Sequence, residues 1–545
     1  MAGDSSVRPS QLSAACTIFV RDQLQLEVLG ARAGSEVCFY ARRPRQVVAC
    51  SLGSLTAVRL SHLTRLPVHQ LLQRADLSIA NLQEYFAHAS ASHSLEGYVP
   101  RGAGLYRDGT QLLIVSGNQI CRWNGRHKTP IQSPLYRDYI HELDPGFPVI
   151  PNLNDLLREA AGLTRPRAQA IWNVLVALVK RWRWVQPGAA VLIAGQVLAT
   201  ILQSTWRWKG HSYVSAKRNT GKSTFLETLA ELLGPMVRLF GGETTEAAIR
   251  QCVGKRGHYL LLDEFERNTE REKILRLLRQ ANHGGTVAKG SPNGHVHTFH
   301  VSQLAWLASI DRPGDSAADS SRYLTFELHS VIPAQKAMGL PSPFLLGRLR
   351  RDLYRLVFKY FREFWEAAET LSTLPNTGLD GRLLDAIAVP CGIWATVQGA
   401  PPAALLEEAM KVWKPMLDDQ IIEDEYGLVR AILQVKFKTN VSWERRTNRP
   451  AWRTIGDALC RDYSSGDLEA YGVKRAVTKQ HRDIAAFSPE AVRRHCLGGT
   501  HWAKLNVRDL LLRLPGAIPT RLRMAGMDNA RVVAVPMQTI LGMEV

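Results

Sequence analysis

The stretch AKRNTGKST, residues 216–224, joins a short apolar run, SYVS, to an amphipathic one, STFLETLAELLG. A phosphate-binding turn needs a strand, a turn of exposed backbone N–H groups and a helix whose N-terminus faces the anion, in that order. Asn219, Thr220, Gly221, Lys222, Ser223 and Thr224 are the candidate binding residues. Lys222 has the reach for β and γ phosphates, and the Ser223 hydroxyl is a ligand for Mg2+. Ala216 stands where the usual spelling of such a turn has glycine, but the position at which backbone must approach phosphate is Gly221. Phe225, Leu229 and Leu232 share one face of the following helix, with Gly234 as its stop. Further on, HYLLLDEFE (258–266) ends an apolar strand in carboxylates. Asp263 is placed to hold the Mg2+ through water and Glu264 to polarise an attacking water. Either acid alone reads as an ordinary strand end, but the two motifs in this order point to ATP hydrolysis with Mg2+ as cofactor.

A third apolar strand, LAWLASI (304–310), offers Ser309 as a polar side chain for the γ-phosphate. DSSRYLTFEL (319–328) presents Arg322 just before another strand, where a cation stabilises transferred phosphate from a neighbouring subunit. Arg312 is the rival for that role, and a salt bridge of Arg322 with Asp319 or Asp315 is the plain alternative. Between the carboxylates and Ser309, TVAKG and HVHTFHV flank Ser-Pro-Asn-Gly, a turn signal that predicts a hairpin over 284–301. The insert carries Lys289, His295, His297 and His300 but no acid, which suits a phosphate backbone and makes Lys289 and His295 candidate DNA contacts. The histidines could instead hold metal, yet no cysteine or carboxylate partner lies nearby. The eight cysteines show no CxxC pair, so neither a zinc site nor a disulfide framework is expected.

These residues must be positioned by a multidomain chain, since 545 residues exceed one compact core. The fold class expected is α/β. Residues 1–95 form a β-rich N-terminal unit, with strands TIFVRD, LQLEVLG, EVCFYA and QVVACSL and a closing helix at LSIANLQEYFAHAS. Residues 96–152 carry an Asp-Gly hairpin signal, 153–210 are helical, and 211–342 alternate strands with helices, the pattern of a parallel sheet. Residues 343–440 are mostly helix, and 441–545 end in helices, RLRMAG, a turn at MDNA, and RVVAVPM, a winged-helix-like tail. RWRW (181–184) and WRWK (206–209) are open to stacking on bases, or are helix-end tryptophans packed on the sheet. The net charge of +19 favours a polyanionic partner. The start, MAGDSSVRPS, carries no secretion signal, and the apolar run 189–206 holds Gln196, Thr200, Gln203 and Ser204. A buried helix, no membrane contact and a cytoplasmic location are therefore expected.

With AKRNTGKST, HYLLLDEFE, the basic hairpin and LAWLASID in this order, the chain resembles the superfamily 3 helicases, and more closely the ATPase half of phage-type primase-helicases. RADLSIANLQEYFAHAS and VPRGAGLYRDGTQLLIVSGNQI resemble an uncharacterised region fused ahead of such ATPases in mobile elements, and LPGAIPTRLRMAGMDNARVVAVP resembles their tail. The resemblance implies an AAA+-like P-loop core in which the Ser309 strand lies between the two motif strands. It implies a hexameric ring with ATP between subunits and Arg322 reaching across. Lys289 or His295 would line a central channel holding single-stranded DNA. Ser309 replaces the family's Asn and Ala216 its first loop glycine. No paired acidic motif or zinc ribbon marks a primase in residues 1–150. The function implied is a DNA helicase or translocase for replication of a phage or mobile element. A regulatory or assembly ATPase that does not unwind is the alternative.

Overall fold

A computed structural model describes residues 9–32, 36–146, 150, 152–253, 257–290, 296–310, 322–329, 341–375, 381–407, 424–439, 451–460, 466–477, 483–498, 500–504, 506–524 and 527–542. The chain is mixed α/β and divides into two units; the described residues up to Glu407 belong to one and those from Asp424 onward to the other.

The first unit opens with helix Pro9–Ile18, which runs on as a π-helical turn, Phe19–Gln23. TIFVRD is therefore helical, not the strand that its β-branched residues predict. Cys16, Phe19, Val20 and Leu24 are all buried, and their helical spacing puts them on one face, so packing overrides propensity. Strands Leu26–Arg32, Glu36–Ala41 and Gln46–Ser51 follow as an antiparallel sheet, closed by helix Ile79–Ala91 with its Ser78 capping box. Next comes an antiparallel meander of Gly104–Asp108, Gln111–Ser116, Gln119–Trp123 and Lys128–Pro130. Both faces of this sheet are covered, which is why LLIV reads as an unbroken apolar run. Tyr106, Leu113, Val115 and Ile120 pack with Leu29, Cys38 and Tyr40 of the first sheet. Leu105, Leu112, Ile114, Cys121 and Trp123 belong to a second, larger core that extends to Leu406.

That larger core contains the buried helix Ala189–Ile201, whose polar residues are satisfied internally. Gln196 donates to the Gly210 carbonyl at 2.8 Å, Gln203 to the Gly257 and His258 carbonyls at 2.9 Å, and Trp306 to the Thr200 hydroxyl at 2.9 Å. Among the described residues no helix is long and apolar enough to cross a membrane. Helix Gly381–Gln398 lies across Ala189–Ile201 where Gly195 sits under Pro390; a Cβ there would meet the Pro390 carbonyl oxygen at 2.6 Å. The long helix Pro343–Ser372, capped by Ser342, adds Leu349, Leu353, Leu356 and Phe364.

The centre of this unit is a five-stranded sheet: β1 (His211–Ser215), β2 (Val237–Phe240), β3 (Tyr259–Leu262), β4 (Ala305–Ser309) and β5 (Tyr323–Glu327). Every pairing is parallel and the order across the sheet is β2-β3-β4-β1-β5. All five strands therefore finish at one edge. Before β4, Gly285–Gly290 and Val296–Val301 pair as an antiparallel hairpin.

The second unit has its own core, including Leu428, Ile432, Phe437, Ile455, Leu459, Phe487 and Val533. Helix Asp424–Leu433 belongs to it, although its sequence groups it with the preceding helices, because its apolar face is covered by helix Ile455–Cys460. Helices Pro489–His495 and Val507–Leu512 precede the paired strands Ile518–Met524 and Met527–Pro536. MDNA is strand here rather than the expected turn. Two further strands not anticipated from the sequence, Val473–Val477 and Asp483–Phe487, complete a four-stranded antiparallel sheet.

Candidate functional site

AKRNTGKST leaves the end of β1 and leads into α1 (Lys222–Leu233). Its first amide, Ala216 N–H, donates to the Ser309 carbonyl at 3.2 Å, which ties the loop to the end of β4. Ser309 is fully buried and pairs in register with Ser215. The turn uses two left-handed residues, Asn219 at φ 59° and Gly221 at φ 95°. Asn tolerates that region through its short polar side chain, whereas Gly221 escapes the Cβ clash altogether. The Thr220 hydroxyl donates to the Lys217 carbonyl at 2.8 Å and fastens the turn internally. The Trp182 indole N–H donates to the Gly221 carbonyl at 3.1 Å, and its ring meets Phe225 edge-on at 5.2 Å. Trp184 also packs on Phe225, at 5.1 Å, and Trp206 and Trp208 are buried. The RWRW and WRWK tryptophans are thus packed on the core rather than presented to solvent for stacking.

Lys222 is the first residue of α1, and its ammonium donates to the Ala216 and Lys217 carbonyls at 2.7 and 2.9 Å. Burial lowers its pKa, while the nearby carboxylates of Glu266 and then Asp263 push the other way. The exposed Ser223 and half-buried Thr224 follow in the first turn of the helix. The loop thus offers a helix N-terminus, backbone N–H groups around a left-handed turn, an ammonium and a hydroxyl, all at the edge where parallel sheets bind ligands.

The acids leave β3 beside it. Asp263 N–H donates to the Phe240 carbonyl at 2.8 Å, and the Asp263 carboxylate accepts from the Glu264 N–H at 2.8 Å. Glu264 takes a left-handed conformation at φ 51°, and its exposed carboxylate pairs with Arg267 at 3.3 Å. The short turn Phe265–Arg267 brings the half-buried Glu266 back toward the loop. Its carboxylate accepts from the Ile310 N–H at 3.2 Å, just beyond β4. Glu266 and Trp182 also belong to this site, although residue order alone does not single them out. Each sits inside a motif already singled out, DEFE and RWRW, but only the backbone shows that Trp182 reaches Gly221 and that Glu266 follows a turn back to the end of β4.

Asp263, Lys222, Ser223 and Ser309 therefore stand at one edge of the sheet, with β4 between β1 and β3. Arg322 does not share that edge within one chain: it precedes β5 at the opposite edge, where its carbonyl accepts from the His211 N–H at 3.0 Å. The exposed Lys289 lies on the hairpin, which also departs from the opposite edge, paired across it with His297. His300 accepts from or donates to the Thr286 hydroxyl at 3.1 Å. His295, Arg312, Asp315 and Asp319 lie outside the described residues. Among the described residues no group of three or more His, Cys, Asp or Glu side chains could hold a metal ion. Compared with models of known protein families and with curated protein sequences, the chain matches none.

Proposed function

We propose that this chain is an ATPase that acts as a ring of copies to move along or unwind DNA, in the manner of the superfamily 3 helicases it resembles in sequence. One observation carries the reading: in a wholly parallel five-stranded sheet, AKRNTGKST leaves β1 and DEFE leaves β3 at the same edge, with the Ser309 strand between them. The residues at that edge fit a nucleoside triphosphate. Among the described residues Lys222 donates to carbonyls of its own loop, which a phosphate would replace with a charge-assisted bond. Gly221 keeps the turn clear where backbone meets phosphate, and the α1 amides face the anion. Mg2+ held by Ser223 and Asp263 would neutralise charge on the β and γ phosphates. Glu264 orients the attacking water once released from Arg267, while Ser309, fully buried, reaches no phosphate directly and instead ties the start of the loop to the end of β4 through its carbonyl.

Because Arg322 is at the other edge of its own sheet, its reach to a phosphate requires a neighbouring copy, which favours a ring, with six copies as the resemblance implies. The hairpin bearing Lys289, and His295 by sequence, supplies the DNA grip. In the second unit, short helices followed by paired strands support the winged-helix-like reading of the tail. Hydrolysis of ATP by the full chain with and without single-stranded DNA, run beside a strand-displacement assay, tests the proposal. Turnover should rise with DNA, and Lys289→Ala should lose far more displacement than DNA-free turnover. A chain that never hydrolyses ATP ends the reading, and displacement unaffected by Lys289→Ala moves it to a regulatory or assembly ATPase.

A further inference from the structure

At the edge where the core strands begin, opposite the loop, lies a cavity of about 390 Å3. Its walls come from strand Val99–Arg101, from the turn between helix Ala189–Ile201 and β1, and from the foot of the hairpin at Gly284, His300 and Ser302. Arg101, Arg207, Lys209, His283 and His300 line it, and none of its described lining residues is Asp or Glu.

Two of these cations are unusual in their surroundings. Lys209 is only 4% exposed, and its ammonium donates to the Trp206 carbonyl at 3.1 Å with no carboxylate among the described residues to balance it. Arg101 lies over the Tyr139 ring at 3.2 Å and over Tyr106 at 4.4 Å, and it too makes no salt bridge with a described residue. The cations also act on the neighbouring imidazoles. His283 is held below the ordinary imidazole range by burial and then by Arg322, Lys209 and Arg382, with Asp385 acting the other way. His300 is lowered by burial and then by Arg101. Like charges gathered in a partly desolvated cavity repel, and an anion entering it relieves that repulsion. A guanidinium fork and an ammonium lining the same cavity suit the oxygens of a phosphate, and the aromatic walls suit whatever the phosphate carries.

We propose that this cavity binds a phosphate group, borne either by a free nucleoside monophosphate or by the terminal phosphate of a nucleic-acid strand, with Arg101 and Lys209 as its ligands. The site is separate from the triphosphate loop and does not depend on how that loop is read. The volume leaves room for a phosphate together with part of its sugar or base.

Titration calorimetry on the full chain without Mg2+ tests it, with AMP, adenosine, and a tetranucleotide with and without a 5′-phosphate as probes. AMP or the 5′-phosphorylated strand should bind. Lys209→Met and Arg101→Gln should each weaken that binding about tenfold or more, the loss of a charge-assisted contact, whereas Lys222→Ala should leave it unchanged. AMP binding with this variant pattern assigns the site to free nucleotide; binding of the phosphorylated strand alone assigns it to a strand end. The proposal is overturned if adenosine or the unphosphorylated strand binds equally well, if nothing binds, or if Lys222→Ala removes the binding and Lys209→Met does not. Should Arg101→Gln fail to fold, Lys209→Met decides, because it keeps the length and apolar stem of the side chain while removing an ammonium that no described carboxylate pairs with. A chain without ATPase activity leaves every arm of this test intact.

Discussion

At the edge where the five parallel strands finish, Lys222 has Glu266 and Asp263 for neighbours, and their field partly offsets the effect of burial on its ammonium. At the edge where they begin, Lys209 has no such neighbour, and burial alone brings its pKa down to about 8. The first edge contains both signs of charge, so Lys222 is offset by its own neighbours. Among the described residues lining the second none is Asp or Glu, although Asp385 acts on His283 and Asp108 on Arg101 from outside the lining, so its cations are less fully offset by the chain. Two lysines flanking one strand thus sit in different electrostatic surroundings, set by the described carboxylates around them.

The largest effect expected is at the first edge. Lys222→Ala should lower ATP turnover about 100- to 1000-fold, the scale seen when one preorganised charge partner is removed. It should leave AMP affinity at the other edge untouched; if both fall together, the two edges are one system and the contrast fails. Next, Lys209→Met should stabilise the ligand-free protein. The folded pKa of Lys209, about 8, lies below the ordinary 10.5, so the unfolded chain binds more protons between those values. Wild-type stability should therefore rise as pH climbs through that window, and below pH 8 the folded state carries the whole penalty, about 2–4 kcal/mol. Urea midpoints of the variant that neither exceed the wild type at pH 7 nor flatten between pH 8 and 10 would show that the ammonium is balanced after all. Gly221→Ala should cost about 1–2 kcal/mol through its φ of 95°, seen as a lower melting temperature and weaker ATP binding. The smallest effect belongs to Trp182→Phe, which keeps a ring against Phe225 but deletes the N–H bond to Gly221, worth about 1 kcal/mol. A few-fold rise in KM for ATP with little change in melting is the expected signature, and an unchanged KM would mean that the indole does not steady the loop.

The sheet and its loop are legible in the sequence for a physical reason. HYLLL and LAWLAS are buried on both faces, so their apolar runs are nearly continuous, and the left-handed turn after SYVS admits few residue types. TIFVRD misleads because Thr17, Ile18 and Val20 favour strands in isolation, while the burial of Cys16, Phe19 and Leu24 on one face decides for helix. MDNA reads as a turn by composition, yet pairing with Ile518–Met524 keeps it extended. Which acid of DEFE faces β4 depends on the single turn Phe265–Arg267, which the order of residues does not encode. The cationic cavity is less legible still, since Arg101, Lys209 and His300 meet only through packing of segments far apart in the chain.

The core that closes over the inner face of the four-stranded meander takes its last pieces from late in the chain: the Trp123 indole donates to the Phe358 carbonyl, 235 residues away, at 2.8 Å. A ribosome adding about 5–20 residues per second needs roughly 10–50 s to cover that distance. Throughout that interval Leu112, Ile114 and Trp123 lack the helix Pro343–Ser372 that finally covers them. Translation of this chain therefore includes a period in which one apolar face of the sheet has only its earlier partners, such as Leu153, Leu157 and Trp206, and a chain stopped before that helix keeps the face incompletely covered.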